Sequence, residues 1–368
     1  MHSGPGGSIP CQIVLALQGG GAVGAYQAGV YQAMHEADID PDWVIGTSIG
    51  AIQAGIIAGN PPEQRLAKLQ TFWDAMAIRR SMPMPGLFPG LGSVFTNFNT
   101  VARGIEGFFA PNPMAMLGQH AVLGIDRASY YSTKPLRDTL EALIDFDYLA
   151  TGKTRLTVGA VNVRTGAMHY FDSRNERLRL DHIMASGALP PAFPAVRIDG
   201  EPYWDGGVYS NTPIEIVFDD NPRRDSVVFA VQLWNTEGPE PETLWQVTGR
   251  HKEIQYASRA TSHTARQAQI HHMRHIIREL SLHLPEDARS REDVKELAAW
   301  GCATRMHLIR LDVPRLEHED HTRDIDFSTQ GIHARHQAGY ACSRRVISEA
   351  PWTQAVDPSV GIVTHDFR

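Results

Sequence analysis

The sequence predicts an α/β protein, a mainly parallel sheet with helices on both faces, followed by a mostly helical C-terminal extension. Three observations carry this. Short β-branched runs alternate with helical stretches through the first 60 residues, the pattern of a parallel sheet whose connections cross over its faces. Glycine-rich turns sit where those runs end. Beyond a Pro/Gly linker at 238–241, long helical patterns rich in Arg and His take over.

Taken in order, residues 12–17 (QIVLAL) form a strand that feeds the glycine turn QGGGAVG. Residues 22–36 contain no Pro and are mostly small or apolar, a helix. Residues 43–46 (WVIG) are a second buried strand, Thr47-Ser48 a tight turn, and 49–58 an Ala-rich helix closed by Gly59-Asn60. Helices are expected over 63–78 and 132–150, with strands at 156–162 and 167–171 and a short helix at 181–186. The Pro-rich loop 188–194 cannot be helical throughout. Residues 196–198 and 202–204 flank an Asp199-Gly200 hairpin turn. Asn211-Thr212-Pro213 starts a helix, and 226–233 (SVVFAVQL) is expected to be the last strand of the sheet. In the extension, helices are expected over 243–283, 291–299 and 330–349, with a strand at 307–313. The division that follows is a catalytic unit over 11–235 and an accessory region over 236–368.

Composition narrows the function classes. The chain has 368 residues, 34 Lys+Arg against 41 Asp+Glu, and a net charge of −7. The basic footprint of a nucleic-acid binder is therefore missing, and no nucleic-acid partner is expected. The three cysteines, Cys11, Cys302 and Cys342, are dispersed and form no CxxC, which fits a reducing compartment. No run of 18 apolar residues occurs, and the first ten residues lack the charged region of a secretory leader. A cytoplasmic location is expected, with peripheral membrane contact and a homo-oligomer left open.

Gly46-Thr47-Ser48-Ile49-Gly50 is a G-x-S-x-G pentapeptide between a strand and a helix. Such a sharp turn needs Gly on both sides and lifts the serine hydroxyl to a helix N-terminus, where backbone N–H groups favour developing negative charge. A plain structural turn is the competing reading. Gly19-Gly20-Gly21-Ala22-Val23-Gly24 admits two functional readings. One is a G-x-G-x-x-G phosphate loop, which wants an acidic residue at the end of the second strand, where this chain has Gly46. The other is an oxyanion hole of N–H groups unshielded by side chains. A serine nucleophile needs a base. None of the 17 histidines stands at an obvious strand end, whereas Asp205 ends a predicted strand and is followed by Gly206-Gly207. A poorly solvated carboxylate can take the serine proton directly; the alternative is an ordinary D-G turn.

These three features, in this order, resemble the patatin-like phospholipase family. Its signature is a Gly-rich oxyanion loop, a G-x-S-x-G elbow and a D-G-[AG] triplet. The matching stretches are 19–29, 46–50 and 205–207, and 185–195 (ASGALPPAFPA) is similar to the family's Pro-rich segment before the last motif. The resemblance covers about residues 11–235. It implies a three-layer α/β/α sandwich and a Ser48–Asp205 dyad, with Ser48 as nucleophile and Asp205 as proton acceptor. The oxyanion hole would come from Gly19, Gly20, Gly21, Gly24 and Ile49, and Gly46, Gly50, Gly206 and Gly207 would be motif glycines. It implies hydrolysis of lipid carboxylic esters through an acyl-enzyme in lipid metabolism, with no metal or organic cofactor. Many members carry Arg or Lys where this chain has Val23. Transfer of the acyl group to an alcohol is open to the same intermediate, and a non-catalytic nucleotide-binding protein is the reading from another class. The ester itself is open: phospholipids, lysophospholipids, acylglycerols, acyl-CoA and hydroxyalkanoate oligomers all fit.

Two further segments stand out. Residues 81–118 hold four Met and five Phe but only Arg103 and Glu106 as charged groups. Long apolar loops of this kind are often functional, and the segment is expected to be a lid over Ser48 or a hydrophobic flap or interface, with one helix near 99–109. His271, His275 and Glu279 share a helical spacing that suits zinc. No HExxH or fourth ligand accompanies them, so a solvated basic face is the expectation and no metal site is assigned.

Overall fold

The structure, a computed structural model, describes residues 9, 11–78, 104–316, 319, 322–354 and 360–367. The elements in chain order are β1 (Gln12–Leu17), α1 (Ala25–Glu36), β2 (Trp43–Gly46), α2 (Ile49–Ala58), α3 (Pro62–Met76), β3 (Ala110–Pro111), β4 (Tyr131–Ser132), α4 (Lys134–Leu143), α5 (Phe146–Leu149), β5 (Arg155–Asn162), β6 (Met168–Asp172), α6 (Leu180–Ser186), β7 (Val196–Ile198), β8 (Glu201–Asp205), α7 (Glu215–Asp219), β9 (Ser226–Gln232), α8 (Leu244–His283), α9 (Glu286–Ser290), α10 (Glu292–Ala298), β10 (Met306–Asp312), α11 (Thr329–Glu349) and β11 (Ile362–Phe367).

Nine strands form one sheet in the order β11-β10-β9-β1-β2-β5-β8-β7, with β6 also on β5. Neighbours from β11 to β5 are parallel, while β6, β7 and β8 pair antiparallel. The expected α/β sandwich with a mainly parallel sheet is thus observed. Alternate side chains of β1 supply two cores. Ile13, Leu15 and Leu17 face one helical layer, and Val14 and Ala16 face the other with Trp43, Ile45 and Phe218. Burial on both faces is why the central strands read as unbroken apolar runs rather than as alternation.

Four expectations change in detail. The helix expected over 132–150 is two helices, because the chain extends at Ile144-Asp145 and Asp145 restarts it by accepting the N–H groups of Asp147 and Tyr148. Of the helix expected near 99–109, residues 99–103 lie outside the described residues. Residues 104–109 are a turn closed by an Ile105–Phe109 bridge, with Gly104 at φ +77°. The strand 226–233 does not end the sheet: β10 pairs with β9 over seven residues and β11 extends it further. The isolated apolar stretch at 307–313 gave no hint of which edge it would join. Helix α11 packs along α1, where Gly339 and Gly29 let the backbones approach; a Cβ on Gly29 would stand 1.9 Å from the His336 carbonyl oxygen. The region 236–368 therefore shares sheet and core with 11–235 among the described residues.

Candidate active site

The sheet brings Ser48 and Asp205 together by register. Strand β2 pairs with the first half of β5 and ends with Gly46 opposite Val158. Strand β8 runs the other way along the second half of β5 and ends with Asp205 opposite Ala160. The two chain ends thus meet across two residues of β5. Gly19–Gly21 follow β1, the strand beside β2, so the loop, the elbow and the carboxylate share one end of the sheet, as ligand sites in open α/β sheets do.

The elbow is built from contacts that only glycine tolerates. A Cβ on Gly46 would lie 2.3 Å from the Gly50 carbonyl oxygen, and one on Gly50 2.2 Å from that of Leu17. Ser48 itself sits at φ +56°, ψ −126°, a left-handed conformation that costs a non-glycine residue on the order of 1–3 kcal/mol. Its N–H is held by Ser186 Oγ (3.1 Å), which donates in turn to the Gly159 carbonyl (2.6 Å). Gly206 sits against that same carbonyl; a Cβ there would approach it to 2.5 Å.

Asp205 is buried and accepts the Gly207 N–H at 2.7 Å. Burial pushes its carboxyl up to about 7, against smaller opposing effects of the Ser48 hydroxyl and the Gly207 N–H. A hydroxyl beside a carboxyl that titrates near neutrality is a pair suited to proton exchange.

The glycine loop is fastened from behind. The Gly19 carbonyl accepts from Asn211 Nδ2 (2.9 Å) and Trp234 Nε1 (2.7 Å), and the Gly19 N–H donates to the Asn211 carbonyl (3.3 Å). The Gln18 amide bridges Thr212 and the N–H of Trp234. Gly21 adopts φ +55°, and the Asp324 carbonyl accepts the Ala22 N–H at 2.8 Å. Gly19, Gly20, Gly21, Ser48, Ile49, Asp205 and Gly207 line one cavity of about 180 Å³. Gly24 does not; it packs on Ile49 and Gln53, where a Cβ would come within 2.8 Å of Ile49. Gly46, Gly50 and Gly206 shape the turns without lining the cavity.

The rest of the wall is largely apolar: Ile52, Phe108, Phe109, Leu189, Phe193 and Phe327. Phe108 and Phe109 belong to the segment 81–118 expected as a lid, of which residues 81–103 lie outside the described residues. Both are buried in an aromatic cluster with Phe193; Phe108 also packs on Phe327, and Phe109 on Tyr131.

Several residues of the site carry no signal in the sequence. Ser186 falls at the end of the short helix expected over 181–186 and Asn211 at an expected helix start, with nothing to mark either as part of a site. Trp234, Lys252, Tyr256, Asp324 and Phe327 come from beyond residue 233, and no local motif marks them. The histidines of α8 also differ from expectation. His271 and His275 are buried, and the Nε2 atoms of both lie 2.9 Å from the Thr304 carbonyl oxygen. Glu279 instead pairs with Arg278 at the surface. These two imidazoles pin α8 to the chain before β10 rather than forming a solvated face, and the three residues do not converge.

A family model described as Patatin-like phospholipase matches residues 15–218, and one described as Patatin phospholipase matches 254–359. A cGAMP-activated phospholipase of Pseudomonas aeruginosa is 27% identical over 218 residues, covering 56% of this chain and 55% of that protein. The chain thus spans about half the length of this curated relative. Among solved structures, VipD from Legionella pneumophila has a TM-score of 0.43 at 15% identity, covering 92% of this chain and 67% of that one. The type III effector ExoU of Pseudomonas aeruginosa has a TM-score of 0.30 at 12% identity, covering 93% and 53%. The first match spans more than half of the 368 residues and contains the glycine loop, the elbow and the Asp-Gly-Gly triplet; the chain belongs to the patatin-like phospholipase family.

Proposed function

We propose that the chain is a serine acyl hydrolase that cleaves carboxylic esters of lipids. The observation that carries this is the pairing of a strained, cavity-facing Ser48 with a buried Asp205 whose carboxyl is pushed up to about 7. In this reading Ser48 Oγ attacks the ester carbonyl carbon while its proton passes to an Asp205 carboxylate oxygen. The carbonyl oxygen takes the negative charge and is met by the N–H groups of Gly20, Gly21 and Ile49. Collapse expels the alkoxide, which takes the proton back from Asp205 and leaves as the alcohol. Water then attacks the acyl-serine, gives its proton to Asp205, and releases the acid as that proton returns to Ser48 Oγ. Proton transfer of this kind works best when the base titrates near the working pH.

Burial places Asp205 in that range without a histidine. The apolar wall of Ile52, Phe108, Phe109, Leu189 and Phe193 suits an acyl chain. The nucleotide reading of the glycine loop fares worse, because a phosphate there would face the Asp205 carboxylate while Lys252, on the same wall, is paired with Asp324. Among the described residues no helix is long and apolar enough to cross a membrane. The test is release of p-nitrophenol from p-nitrophenyl butyrate by the wild-type chain and by Ser48→Ala. Wild-type turnover that the variant lacks supports the reading; equal rates refute it.

A further inference from the structure

The cavity carries one lysine, and the fold has already given it a partner. Among the described residues that line the cavity, the acidic and basic side chains are Asp205, Asp324 and Lys252. Lys252 Nζ forms an ion pair with Asp324 and sits 5.6 Å from the centre of the Trp234 ring. Tyr256, one turn further along α8, packs against Trp234 with the ring centres 5.2 Å apart.

Asp324 is not on a free loop. Its own carbonyl holds the Ala22 N–H of the glycine loop. Its neighbour Arg323 is buried, donates to the Leu233 carbonyl and meets Glu253 and Glu319. On the other side Phe327 takes the Ile78 N–H and lines the cavity. The carboxylate is thus held beside Lys252 by its backbone, and releasing the lysine would cost the attraction of a half-buried pair. In the glycine loop itself the Val23 side chain is apolar and fully buried, so it brings no charge to the cavity.

We infer that the Lys252–Asp324 pair sets leaving-group specificity, and that the cavity takes esters whose leaving group has no net charge and discriminates against net-anionic ones. This rests on the hydrolase reading above. A glycerol hydroxyl and a zwitterionic phosphodiester headgroup both meet the requirement; the zwitterion can exchange its own two charges with the pair. A phosphomonoester or free carboxylate meets an ion pair with no net charge to offer it, and the Asp205 carboxylate, which repels it when ionised.

The test compares three hexanoyl esters that differ only beyond the glycerol: monohexanoylglycerol, its phosphocholine and its 3-phosphate. The expected kcat/KM for the phosphate is at least tenfold below the better of the other two. Asp324→Asn leaves Lys252 unpaired and should raise the phosphate-to-glycerol ratio about tenfold, the size of one charge pair across a partly solvated cavity. Adding Lys252→Met to that variant should return the ratio to the wild-type value. A wild-type preference for the phosphate, or a ratio that Asp324→Asn leaves unmoved, overturns the inference. Dissociation constants of the three corresponding hexyl ethers, which bind but cannot be cleaved, should follow the same order in wild type and variants. That binding arm separates this inference from the proposed activity: the ethers discriminate even if no ester is turned over, and equal binding of all three overturns it.

Discussion

Replacing Asp205 by Asn should make the protein progressively more stable than wild type as the pH rises. In the folded chain burial raises the Asp205 carboxyl from 3.8 to about 7. Between those values the unfolded chain has lost the proton and the folded chain keeps it, so the folded state loses about 1.4 kcal/mol of stability per pH unit. A group shifted in this direction gives its full stability below the unfolded value and loses it as the pH climbs through the folded one. The whole penalty is about 4 kcal/mol, and about 3 kcal/mol of it accrues between pH 4.5 and 8. Asn carries no proton equilibrium, and its amide oxygen can still accept the Gly207 N–H. The variant-minus-wild-type difference should therefore grow by about 3 kcal/mol over that range. At roughly 1.3 °C per kcal/mol for a chain of this length, this is about 4 °C in Tm. Thermal unfolding of both proteins at pH 4.5, 6, 7 and 8 reads it directly, and other titrating groups cancel in the difference. Parallel Tm curves would show that Asp205 is not held in a charge-averse site and would remove the basis for its role as base.

The other expectations follow from the same geometry. With Asp205 as base, kcat/KM on a soluble ester should rise with pH through about 7; a profile flat from pH 5 to 9 contradicts this. Ser48→Ala should leave less than about 1% of wild-type activity, and Ser48→Gly should be as inactive yet more stable than Ser48→Ala by about 1 kcal/mol, because Gly relieves φ +56°. Equal unfolding midpoints for those two variants would argue against a strained elbow. Phe108→Leu with Phe109→Leu should lower kcat/KM on long-chain esters more than on p-nitrophenyl butyrate, and an equal fall on both would count against these rings as an acyl-chain wall. EDTA should leave activity intact, since the oxyanion is expected to be held by backbone N–H groups rather than by a metal; loss that zinc or calcium restores would overturn that expectation.

The centre of the sheet and the catalytic candidates were legible because short-range chemistry dictates them. Gly46 and Gly50 leave room for backbone that any Cβ would strike, and strands buried on both faces must be apolar throughout. The cavity's far wall was not legible. Lys252, Asp324 and Phe327 line the same cavity as Ser48 although they come from α8 and from the segment between β10 and α11, and no local pattern marks that long-range placement. The burial of His271 and His275 was hidden for the same reason: their partner is the Thr304 carbonyl, some 30 residues away. The break at Ile144-Asp145 is a different case, since Asp145 is a good N-cap residue inside a stretch read as continuous helix.

Whether Ser48, activated by Asp205, is the nucleophile is read by covalent labelling of the wild-type chain with a fluorophosphonate probe at pH 8, followed by peptide mapping. A single phosphonylated residue, Ser48, is expected, with labelling much slowed by Asp205→Asn and absent in Ser48→Ala. Label on another serine, or none on a folded chain that hydrolyses esters, would contradict it.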